Sequence, residues 1–74
     1  MDRKEIIRIF SENVRAKRAR KQYSQEKLAE MAGITPEYLA RIEKEKYSPS
    51  LVVIANLAIA LNVTVDKLIP LNHQ

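Results

Sequence analysis

Glu37 and Arg41 stand four residues apart, a spacing that puts both on one face of a helix. An arginine there is able to donate two hydrogen bonds together to O6 and N7 of guanine, and a glutamate to accept one from the amino group of cytosine. Each also has a plainer reading: Arg41 as a phosphate contact, Glu37 as a negative charge complementing a helix N-terminus. Leu39 and Ile42 fall on the other side of the same segment, so it has one apolar face and one polar face. Lys17, Lys21, Lys44 and Lys46 are candidates for neutralising phosphate, with solvation as the alternative for each, and Tyr38 suits packing or a phosphate better than a base. Nothing comparable points to catalysis or metal binding. His73 is the only histidine, there is no cysteine, and no paired carboxylates or nucleophile accompany that histidine.

The elements that must position Glu37 and Arg41 are written in the twenty residues from Gln25 to Lys44. Ser24 precedes one apolar-periodic segment and Thr35 the next, each offering a side-chain oxygen to orphan backbone N–H groups. Pro36 follows at the first helical position, where its fixed φ suits a helix and its missing N–H costs nothing. The single glycine, Gly33, falls between the two segments, where a helix must end in a left-handed residue. Leu28, Ala29, Ala32, Ile34, Leu39 and Ile42 lie on inward faces, with small Ala29 where the helices cross. Two capped helices joined by a one-glycine turn are the pattern of a helix-turn-helix.

Around that unit the chain reads as all-α and as one domain over its 74 residues, small enough to bury only about 60% of its unfolded surface. Five helices are expected: about Arg3 to Lys21, Gln25 to Ala32, Pro36 to Glu45, Ser50-capped through Leu61, and a short one from Val65 to about Ile69. Asn62 ends the fourth, Thr64 caps the fifth and Pro70 stops it, while the tail from Leu71 to Gln74 is expected to fray, leaving His73 solvated. The net charge of +4 and pI near 9.6 point only weakly to nucleic acid. Arg15, Lys17, Arg18, Arg20 and Lys21 crowd the end of the first helix, where cations also simply complement the helix dipole. The absence of cysteine fits a reducing cytoplasm, and no run reaches the length of a membrane span or a signal-peptide core.

Two patterns place residues where an ordinary surface would not. Ile6, Phe10 and Val14 recur every four residues, and the next step is Arg18; on the third helix the same step leads from Leu39 to Glu43. A charge at the end of each apolar stripe predicts an Arg18–Glu43 ion pair across helices one and three, unless both side chains snorkel to water. The fourth helix has Asn56 as its only polar residue. Unless its own chain encloses it, part of it is left for a second copy, with Ile59, Val63 and Leu68 as contacts.

These residues resemble the lambda-repressor-like, Cro-type DNA-binding domains, the Xre family of helix-turn-helix regulators. The likeness covers about Phe10 to Ile69 and is carried by Ser24 to Ala29, Ala32-Gly33-Ile34, Tyr38 to Glu43, Pro49-Ser50-Leu51 and Leu61-Asn62-Val63. It implies a compact five-helix fold with the motif as helices two and three, and it implies the Arg18–Glu43 bridge again. It also implies major-groove contacts from Thr35, Pro36, Glu37 and Arg41, and a phosphate contact from Gln25 with Ser24 beside it. Further phosphate contacts are expected from Lys46, Tyr47 and Ser48. One departure is Glu45, at a position that usually suits glycine, which predicts a turn of different shape; another is that Pro36 has neither donor nor acceptor in its side chain. The expected function is a cytoplasmic, nucleoid-associated transcriptional regulator that binds a palindromic double-stranded DNA operator as a homodimer. No enzyme activity, cofactor, small-molecule ligand or membrane is expected. The competing reading is a protein-interaction or antitoxin-type module that uses the apolar surface of helices four and five.

Overall fold

The computed structural model describes residues 1–71; the expectation that His73 is solvated lies outside the described residues. Among them are four α-helices and no strand: α1 (Arg3–Arg20), α2 (Gln25–Ala32), α3 (Pro36–Glu43) and α4 (Leu51–Leu61). Each starts on a side chain suited to the task. Asp2 forms a reciprocal capping box with Glu5. Ser24, Thr35 and Ser50 accept from the backbone N–H groups of Lys27, Tyr38 and Val53 at 3.0, 3.1 and 3.2 Å.

All four helices also end in one way. Gln22, Gly33, Glu45 and Asn62 take left-handed φ values of 60°, 74°, 64° and 58°. The N–H of the next residue then reaches back five residues: Tyr23 to the Arg18 carbonyl at 3.1 Å, Ile34 to Ala29 at 3.0 Å, Lys46 to Arg41 at 2.9 Å and Val63 to Ala58 at 3.0 Å. Glu45 therefore does not change the shape of the turn after α3, contrary to expectation. It adopts the left-handed conformation that glycine would take without strain, which is why α3 stops at Glu43 rather than Glu45.

The expected fifth helix is instead a single 3-10 turn over Val65–Lys67. Pro70, lacking an N–H, closes the segment before a second turn can form, and one turn cannot offset the cost of helix nucleation. Thr64 does not cap it. The Thr64 hydroxyl beside Asp66 instead holds that exposed carboxyl below the ordinary carboxylate range.

The core joins Phe10 and Val14 of α1 to Leu28, Ala29 and Ala32 of α2, Leu39 and Ile42 of α3, Leu57, Ala58, Ala60 and Leu61 of α4, and Leu68. Ala29 is fully buried, and α2 packs chiefly against α3 and α4. Leu68 is thus a core residue, which corrects its assignment to an interface: the chain beyond the 3-10 turn folds back, and Asn13 Nδ2 donates to the Leu68 carbonyl at 2.9 Å. The fourth helix is not enclosed. Leu51, Val52 and Ile59 are 79%, 67% and 74% exposed, and Val63 is half-buried.

Strain at Glu45 has a measurable consequence. Glu45→Gly should raise the unfolding free energy by about 1 kcal/mol, since a side chain in the left-handed region costs roughly 1–2 kcal/mol before glycine's greater unfolded-state entropy offsets part of the gain. Urea denaturation of the two chains checks it, and an unchanged or lower midpoint contradicts the strain.

Candidate nucleic-acid interface

The position of α3 is set from behind by α1. Ser11, fully buried, donates from its hydroxyl to the Ile42 carbonyl at 2.6 Å, and an Arg15 Nη1–H donates to the Glu43 carbonyl. Arg18 meets the Glu43 carboxylate in the two-pronged way, Nε to Oε2 at 2.8 Å and Nη2 to Oε1 at 3.2 Å, while its Nη1 donates to the Tyr23 carbonyl at 2.9 Å. Gln25 Nε2 adds a bond to Glu43 Oε1 at 3.0 Å. Glu43 is buried, its side chain 3% exposed against 21% for Arg18. The last two carbonyls of α3 and its one inward carboxylate are therefore all held by neighbours.

The contacts of Ser11 and Arg15 with α3 go beyond the sequence-based expectation, which rests on the apolar line through Phe10 and Val14. The signal for them is a second line at helical spacing, Ser11, Arg15 and Arg18, running beside the first. Arg15 and Arg18 consequently leave the set of cations at the end of α1, turned toward α3 rather than simply solvated. Gln25 is also placed differently from expectation, since its amide nitrogen points at Glu43.

The opposite side of α3 is open. Thr35, Glu37, Tyr38, Arg41, Tyr47 and Ser48 line one surface groove of about 550 Å³, so residues from α3 and from the loop after it share a single concavity. Pro36 stands at the first position of α3, half-buried and not among the lining residues. Within the groove Arg41 Nη1 donates to the Tyr47 hydroxyl at 2.8 Å, and the Arg41 guanidinium carbon lies 5.7 Å from the centre of the Tyr47 ring. Tyr38 and Tyr47 meet edge to face with centroids 5.2 Å apart. Lys44 and Lys46 are exposed beside the end of α3, Lys21 is exposed after α1 and Lys17 is half-buried on it. Ser24 uses its hydroxyl as the α2 cap. No group of histidines, cysteines and carboxylates able to hold a metal occurs among the described residues, and no helix there is long and apolar enough to cross a membrane.

A family model described as helix-turn-helix matches residues 14–68, which takes in all of α2, α3 and α4. The chain belongs to this helix-turn-helix family, of the Xre type. Control protein C.SmaI of Serratia marcescens is 41% identical over 69 residues, covering 93% of this chain and 79% of that one. The immunity repressor protein of Bacillus phage phi105 is 34% identical over 58 residues, 78% of this chain and 40% of the repressor. Among solved structures, the restriction-modification controller protein C.AhdI from Aeromonas hydrophila superposes with a TM-score of 0.81 at 34% identity, covering 84% of this chain and 94% of its own. The helix-turn-helix is the α2–α3 unit, so the groove of Glu37 and Arg41 lies on its second helix.

The burial of Glu43 predicts an asymmetry. Arg18→Ala strands the carboxylate in the core and should cost about 3–5 kcal/mol, whereas Glu43→Ala leaves an arginine able to reach water and should cost less. Thermal melts of both variants check the order; equal melting points with the parent chain contradict it.

Proposed function

We propose that the protein is a sequence-specific DNA-binding transcriptional regulator that seats α3 in the major groove of a palindromic operator as a homodimer. The observation that carries this is the two-faced build of α3. Leu39, Ile42 and Glu43 are buried, while Thr35, Glu37 and Arg41 line an open groove on its far side. In this reading Arg41 binds guanine O6 and N7, Glu37 accepts from cytosine, and Thr35 touches a neighbouring base edge, with Pro36 giving apolar contact only. Lys17, Lys21, Ser24, Tyr38, Lys44, Lys46 and Ser48 face phosphates, and Gln25 contributes through the backbone N–H at the start of α2. The net charge of +4 favours such contacts.

Homodimerisation rests on the uncovered apolar face of α4, where Leu51, Val52 and Ile59 are exposed and Val63 is half-buried. A two-fold dimer would set the two α3 helices to read half-sites about one DNA turn, roughly 34 Å, apart. The roles that the relatives' names carry, a restriction-modification controller and an immunity repressor, support a regulator, and one that binds DNA would act in the cytoplasm at the nucleoid. No enzymatic activity is proposed. The same apolar face favours a second reading, a protein-interaction or antitoxin-type module that needs no DNA; salt-dependent binding to a selected operator separates the two.

Selection of bound sequences from a random DNA pool supplies the operator. Arg41→Ala should then lose about 1–3 kcal/mol per half-site and relax preference at one base pair, while Lys44→Ala or Lys46→Ala should weaken all sequences alike and flatten the salt dependence. Titrations against the operator and its point variants at two salt concentrations decide it; a uniform loss in Arg41→Ala makes Arg41 a phosphate contact. For the dimer, Ile59→Asp should shift sedimentation from dimer toward monomer, and a parent chain that stays monomeric at high concentration contradicts self-association in free solution.

A further inference from the structure

Tyr47 lies in the loop after α3, yet three contacts bring it against that helix. The left-handed Glu45 reverses the chain, and the Lys46 N–H closes onto the Arg41 carbonyl at 2.9 Å, which carries residue 47 back alongside the residue it touches. Its hydroxyl then accepts from Arg41 Nη1 at 2.8 Å, and its ring stands edge to face with Tyr38 at 5.2 Å. Both Arg41 and Tyr47 are solvent-exposed, where a long arginine side chain would ordinarily sample many rotamers.

We infer that Tyr47 is a positioning residue for base recognition, holding the Arg41 guanidinium in place before DNA arrives, and this rests on the major-groove reading of α3 above. The donor count permits it. A guanidinium carries five N–H groups in a rigid fork, Tyr47 occupies one, and guanine O6 and N7 require two. A side chain already ordered loses less freedom on binding, and a correctly aimed fork discriminates more sharply between guanine and the other bases. Tyr38 completes the arrangement by buttressing the Tyr47 ring.

The test uses the full chain, Tyr47→Phe, Arg41→Ala and the double variant, each titrated against the selected operator and against the operator with the Arg41-read base pair exchanged. Tyr47→Phe keeps the ring against Tyr38 and removes only the hydroxyl. It should reduce the ratio of the two affinities roughly three- to tenfold with an unchanged melting temperature, the scale of one ordinary hydrogen bond at a solvent-exposed site. In the Arg41→Ala background it should have no further effect. The inference is overturned if Tyr47→Phe keeps the full ratio, if its loss adds to that of Arg41→Ala, if both DNAs weaken equally with a smaller salt slope, as for a phosphate contact, or if binding tightens. A parent chain with no preference for the operator over random DNA defeats the major-groove reading and this inference together. A parent preference that Arg41→Ala abolishes and Tyr47→Phe leaves intact defeats this inference alone.

Discussion

Glu43 places a carboxylate in a core where, among the described residues, every other buried side chain apart from Ser11 is apolar. A carboxylate taken from water is tolerated only when its oxygens are met by donors of good geometry, and here Arg18 and Gln25 meet them. That requirement ties three helices together, since the donors come from α1 and α2 and the acceptor from α3. Mere hydrophobic contact would let α3 roll or slide by a fraction of a turn; directional bonds at its last residues do not. Ser11 and Arg15 act in the same sense, each ending on a carbonyl of the final α3 turn.

The placement matters because α3 is only eight residues, about two turns, far below the length at which a helix persists alone in water. Its shape is borrowed from both ends. Thr35 and Pro36 fix where it starts, and the left-handed Glu45 with the α1 side chains fixes where it stops. The groove beside it is built partly from the loop beyond that stop, because the reversal at Glu45 returns Tyr47 and Ser48 to the flank of α3.

Much of this was legible in the residues. The caps at Ser24, Thr35 and Ser50, the ends at Gly33 and Asn62, the inward set on α2 and α3, and the charge at the end of each apolar stripe are local signals with local causes. Other features needed three dimensions. A stretch of Val65, Leu68 and Ile69 bounded by Thr64 and Pro70 carries helical spacing, but whether it has room for a second turn depends on how Leu68 is drawn into the core. Gln22 carries no mark of the left-handed residue it becomes, and Glu45 is marked only by the resemblance, as standing where glycine is usual, because the stabilisation comes from the backbone bonds each turn completes and not from the side chain. The approach of Tyr47 to Arg41 results from the Glu45 reversal and was hidden for the same reason.

The two faces of α3 answer to different demands, and this bears on how such a protein changes over time. Leu39, Ile42 and Glu43 are bound into the core, whereas Thr35, Glu37 and Arg41 point away from it. Substitution at Glu37 and Arg41 is therefore nearly free of folding cost, whereas Thr35 is also held as the α3 cap, so a lineage is able to explore new recognition sequences at those two positions without first acquiring spare stability. The freedom is partial at one place. Because the residue at 41 leans on the residue at 47, a new side chain at one position inherits a partner suited to the old one, and drift toward a different target would proceed most readily when the two sites change as a pair.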